Sequence, residues 1–167
     1  MTVTENPNNT LSALVTVETP EEATVAIAFS SEETAEKRTG ISAPGTTHEF
    51  VVVGMRHKTD YTLNPVVTYT SGASGVVEEP TFETGQKPTG LPDMTVTVMD
   101  ADAMQPGVTI VGPAGEGAGE APEFFGLDEE GKVVWYYDAP DEQWQSPDRD
   151  VKLMADGNLL LKTQEGL

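Results

Sequence analysis

Cysteine is absent from the 167 residues, which excludes disulfide staples, thiolate nucleophiles and thiolate zinc sites. The redox compartment stays open. Basic residues are scarce: 9 Lys plus Arg stand against 28 Asp plus Glu, a formal net charge of −19. A field of that sign repels phosphate backbones and anionic headgroups, so nucleic acid and membrane surfaces are poor partners. Apolar runs long enough to cross a bilayer, which takes about 20 residues, are also missing. The start, "MTVTENPNNTLSAL", has no basic region followed by a long apolar one and does not read as a secretory signal. Histidine is limited to His48 and His57, and without an HExxH spacing the pair argues against zinc.

The acidic surplus serves either a well-solvated surface, as in a saline habitat, or divalent cations. Asp100 and Asp102 have the one-residue spacing of a calcium loop, but Met104, Gln105 and Pro106 follow, and the EF-hand pattern fails. The glycine-rich "GPAGEGAGEAP" is not a phosphate cradle either. It carries Glu116 and Glu120, has no Lys, and leads into a strand rather than a helix. It reads as a solvated loop.

What the chain does contain is 37% hydrophobic residues, enough for real cores. From Leu11 to about Thr84 they recur with period two, the mark of half-buried strands. The expected strands are "LSALVTVET", "ATVAIAFS", "THEFVVVG", "YTLNPVVTYT" and "VVEEPTFET", separated by turn-rich pieces such as "SEETAEKRTGISAPGT" and "SGASG". Val25, Ile27 and Phe29 share one face, as do His48, Phe50 and Val52, and these faces are the expected core. In "VVVGMRHKTDYTLNPVVTYTSGASG" a strand runs into a corner, a Tyr and an alternating strand, the layout of a tyrosine corner. Tyr61 is expected to bury its ring and tie its hydroxyl to upstream backbone, with Leu63 where an antibody domain has its second cysteine. The region resembles a fibronectin type III module. It departs from that family in lacking the usual corner Pro in "RHKTD". Pro65 removes a ladder donor, which marks an edge or a bulge.

The Gly/Pro-dense "ETGQKPTGLPDM" divides this expected Ig/fibronectin III-like β-sandwich (6–85) from a second region (94–167), with 86–93 as linker. "MTVTVM" and "GVTIV" open that region. "EFFGLDEEGKVVWYYD" then forms a hairpin around an acidic Glu-Gly turn. Val133, Trp135 and Tyr137 alternate with Val134 and Tyr136, so both faces of this strand are apolar, as where sheets stack radially. "DVKLMADGNLLLKT" adds a second hairpin around Ala155-Asp156-Gly157-Asn158. The region is expected to hold most of one blade of an incomplete β-propeller, and such a blade requires neighbours.

The order sandwich, "GLPDMTV", "LDEEGKVVWYYD", "DVKLMADGNLLL" resembles the N-terminal part of the bacterial arylsulfate sulfotransferase family, across nearly the whole chain. The resemblance implies a small sandwich followed by a six-bladed propeller, exported to the periplasm or beyond. It further implies transfer of a sulfuryl group from a phenolic sulfate ester to a phenol acceptor, without a cofactor or nucleotide sulfate donor. A histidine there becomes transiently sulfated, while cationic and amide donors hold the sulfonyl oxygens. Those groups line the channel and come from blades this chain lacks, so the fragment alone is expected to be inactive. The family commonly has a His just ahead of the "DV" pair. Here Arg149 holds that place and is a candidate contact for sulfate oxygens, against an ordinary surface Arg. His48 and His57 fall in the sandwich and are expected to be structural.

Two other readings stand beside this one. An adhesion or carbohydrate-binding sandwich would use Trp135, Tyr136 and Trp144 as an aromatic platform, although Trp135 also suits a blade core. A quinoprotein-type propeller shares "GKVVWYYD"; the leading sandwich and the "DGNLLL" hairpin count against it.

Overall fold

The structure is a computed structural model and describes residues 1–72, 79–91, 94–100, 103, 107–112, 124–138, 151–154 and 159–161. Every regular element among them is a β-strand, and the chain divides into two compact units, Met1–Gln86 and Lys87–Leu167. The first unit starts before position 6, where the sequence reading began it, because Thr2–Glu5 is already a strand.

In the first unit, β1 (Thr2–Glu5), β2 (Ala13–Ser30), β3 (Lys37–Arg38), β4 (Gly45–Val52), β5 (Asp60–Tyr69) and β6 (Thr81–Glu83) form one curled, antiparallel six-stranded sheet. The two strands expected on either side of "TPEE" are one strand, β2, with a register shift between Glu18 and Ala23. The chain bends there without reversing. Pro20 has no N–H to give a ladder, and the Thr19 hydroxyl donates to the Glu21 carbonyl at 2.9 Å. The bend hands β2 from one set of neighbours to another. Ala13–Glu18 pairs with β1 and β4, while Ala23–Ser30 pairs with β5, with β3 at Ala28 and Phe29, and still with Gly45 of β4 at Ala23.

Period-two alternation places Val15 and Val17 from the first half, and Val25, Ile27 and Phe29 from the second, in a single buried cluster. Ala13, Ala23, Val52, Met55, Tyr61, Leu63 and Val67 complete it. Of the faces expected to be core, only Phe50 is partly buried rather than buried. Pro65 sits opposite Ile27. The Ile27 N–H and C=O are both used by Thr39, through its hydroxyl at 2.9 Å and its N–H at 3.0 Å. Ile27 and Pro65 therefore form a non-hydrogen-bonded pair, and the β2–β5 ladder loses no donor to the proline. On its other side the β6 pairing covers only Asp60–Thr62. The position that would continue β6 opposite Pro65, Glu78, lies outside the described residues, as the edge expected of this proline therefore does.

In the second unit, β7 (Thr109–Val111), β8 (Phe124–Leu127) and β9 (Val133–Tyr137) form a three-stranded antiparallel sheet. Separately, β10 (Val151–Leu153) pairs with β11 (Leu159–Leu161). The four strands expected in one blade thus fall in two sheets, and β7 completes the first. "MTVTVM" forms no strand: Met94–Met99 is irregular, with Val98 84% exposed. The β8–β9 turn is built by Asp128, whose carboxylate accepts the Glu130 and Lys132 N–H groups at 3.0 and 2.8 Å. Gly131 supplies the positive φ of 75° that the turn needs. The register shift between Gly126 and Leu127 puts buried Val133 and Tyr136 on one face of β9, with half-buried Trp135 and exposed Tyr137 on the other; the strand buried throughout is β8. The "DGN" turn and the glycine-rich 113–120 stretch lie outside the described residues.

Gly126, across from Trp135 on β9, is the tightest point of this sheet. A Cβ there would stand 2.6 Å from Val108 Cγ1 and 3.4 Å from Trp135 Cβ. Val108 is β-branched and cannot swing aside freely. Gly126→Ala should therefore cost the second unit about 1–3 kcal/mol. Both tryptophans of the chain, Trp135 and Trp144, belong to that unit, so the shift is read from the midpoint of tryptophan fluorescence in urea. An unchanged midpoint would contradict this packing.

Candidate functional site

The most organised polar constellation lies where β4 turns into β5. Residues 53–59 leave β4 at the end of a strand whose inward Val52 is fully buried, and Met55 drops into the same core. The following residues must reverse the chain above that core, and Tyr61 holds the reversal. Its ring is 1% exposed and meets Phe29 edge-on, with centroids 6.1 Å apart at 60°. Its hydroxyl accepts the Arg56 N–H at 2.9 Å. Leu63, two residues on, is fully buried against the same cluster.

Sequence reasoning missed the second half of this corner. The Thr84 hydroxyl accepts the Thr59 N–H at 3.0 Å and donates to the Arg56 carbonyl. The Lys58 N–H reaches the Gly85 carbonyl at 3.0 Å, and the Gly85 N–H reaches the Thr10 carbonyl at 2.8 Å. Gly85 is the only residue type that fits, since a Cβ there would lie 2.7 Å from Thr10 Cβ. The corner is thereby tied both to the end of the first unit and to the chain entering β2. The signal was the "ETG" that closes the last expected strand, where Thr84 reads as a strand end and Gly85 as the last residue before the linker.

Beside the corner is an open cleft of about 590 Å³, lined by Ser31, Glu32, Glu33, Lys58, Asp60 and Thr81 among others. Its walls are hydroxyls and charges on the loop after β2 and the starts of β5 and β6. Among the described residues no three His, Cys, Asp or Glu side chains are grouped to hold a metal.

His48 is 2% exposed. The Ser42 Oγ lies 2.8 Å from its Nδ1 and itself accepts the Val25 N–H at 3.0 Å. The serine hydroxyl thus links the imidazole to the backbone of β2. The imidazole Nε2 is buried with no hydrogen-bond partner among the described residues. A nitrogen so enclosed has no path to a sulfur or carbonyl centre. His57 is exposed in the turn, where its carbonyl accepts the Thr59 hydroxyl at 2.9 Å. The two histidines are not brought together with any nucleophile–base geometry.

Trp135 is half-buried and its neighbour Tyr136 is buried, on opposite faces of β9, so the two share no platform. Arg149, the candidate sulfate contact, and Trp144 lie outside the described residues, as does Asp102. No helix among the described residues is long and apolar enough to cross a membrane. No family model, curated protein or solved structure matches the chain.

Two substitutions test the corner. Tyr61→Phe keeps the ring and removes the acceptor of the Arg56 N–H, which should lower the stability of the first unit by about 1–2 kcal/mol. Tyr69→Phe, at a half-buried ring on the same strand, should leave it unchanged. Lys58 holds φ at 47°, so Lys58→Gly should stabilise the unit by about 0.5 kcal/mol, the left-handed penalty less the entropy glycine adds to the unfolded chain. Hydrogen exchange of β2 and β5 amides reads all three.

Proposed function

We propose that this chain is the front segment of an arylsulfate sulfotransferase: a fibronectin type III-like sandwich followed by the first strands of a six-bladed propeller. In the sandwich, β1, the first half of β2 and β4 form one layer. The second half of β2 with β3, β5 and β6 forms the other, and the shared core between the halves supports this reading. The corner at Tyr61 supports it as well.

The single observation that carries the propeller is β8, whose four residues are all buried in the middle of a three-stranded sheet that a separate hairpin follows. A strand covered on both sides belongs to a stack of sheets, and successive small antiparallel sheets are how a propeller begins. In this reading β7–β9 and β10–β11 belong to successive blades, a different division from that expected of the sequence.

The chemistry then resides in later blades. A neutral imidazole nitrogen attacks the sulfur of a phenolic sulfate ester, the bond from sulfur to the phenolic oxygen breaks, and phenolate leaves. The acceptor phenol, losing its proton to a base, takes the sulfuryl group from the imidazole in the second step. The buried Nε2 of His48 and the turn position of His57 fit neither role, so this segment contributes support and not the nucleophile.

The test has two parts. The 167-residue chain, incubated with a phenyl sulfate and a phenol, should transfer no sulfate above a buffer blank. The native protein captured with an antibody against Met1–Gln86 should be several times larger and should carry that activity. Transfer by the short chain would place the chemistry here after all, and a native protein of the short length without activity would favour the binding-module reading.

A further inference from the structure

We propose that Met94–Met99, the run "MTVTVM", is a pairing strand that joins two copies of this chain antiparallel about a two-fold axis at Val96. The run has no charge, no Gly and no Pro, and Thr95 to Val98 are all β-branched. That is the composition of segments that associate edge to edge. Met94–Met99 nevertheless forms no strand, and none of its backbone groups bonds to another described residue. Its apolar side chains face water: Val98 is 84% exposed and Met99 57%. Six residues that expose both backbone and apolar side chains form a template for another strand.

The run does not trail free. Val96 Cγ2 lies over the β8–β9 turn, close enough that a Cβ on Gly131 would come within 2.7 Å of it. Holding the run in place lowers the ordering cost of pairing.

A second copy is the occupant whose register fits. With the two-fold at Val96, Thr95 faces Thr97 of the other copy and Met94 faces Val98, so threonines meet on one face and apolar side chains on the other. Such a contact is isologous and closes at the dimer. In a chain of net charge −19, a neutral run is also where two copies approach with least repulsion.

Sedimentation equilibrium on the full chain, from micromolar to submillimolar and at low and high salt, tests this. The expected result is a monomer–dimer equilibrium that tightens with salt as the repulsion between copies is screened. Val98→Asp, at a position already in water, and Thr97→Pro, which removes a ladder donor, should each raise the dissociation constant at least about tenfold. Val51→Asp, at an exposed position of the β4 edge in the first unit, should leave it unchanged. Three results would overturn the proposal: a monomer under all conditions, a dimer that survives both Val98→Asp and Thr97→Pro, or a dimer broken by Val51→Asp instead.

Discussion

A buried phenol must find a partner for its hydroxyl, and Tyr61 finds one in the N–H of Arg56, five residues upstream. That bond fixes the path of the reversal between β4 and β5. These two strands pair with opposite halves of β2, so the direction in which the chain leaves the corner determines how the sheet curls. The inward side chains of both halves then meet in one cluster around the Tyr61 ring. Thr84, Gly85 and Thr10 add a backbone clasp that ties the unit's last residues to its first long strand. The corner thus closes the unit as well as turning it.

Much of this was legible in the sequence because it is local. Alternation located β4 and β5 and most of the core, and the order corner, Tyr, alternating strand singled out Tyr61 and Leu63. What escaped was non-local. The "TPEE" step looks like a turn between strands, because Pro20 and two glutamates carry no strand signal. Beyond it, however, β2 gains β5 as a partner while Ala23 still faces Gly45 of β4, and a bend without reversal results. Thr84 and Gly85 resemble any loop dipeptide until the corner above them is placed.

The second unit shows the converse. "MTVTVM" has the better strand pattern and forms none, whereas "FFGL" carries a glycine and forms β8. The difference lies in partners: β8 has β7 and β9 on its two sides, and Gly126 admits the close approach of Val108. Period two states only that a segment suits a sheet; a ladder needs a second strand. The candidate site was the least legible part. Neither histidine matches the nucleophile that the proposed sulfotransferase reading requires, and the one residue singled out for sulfate, Arg149, lies outside the described residues.

The account rests on two units that fold as separate cooperative bodies, the first complete in its core and the second dependent on neighbours. Hydrogen exchange followed along the whole chain tests this most directly. The account predicts strong, uniform protection in β2, β4 and β5, and distinctly weaker protection, lost in a separate opening step, in β8 to β11. Equal protection from Leu11 to Leu161, lost in one step, would contradict it.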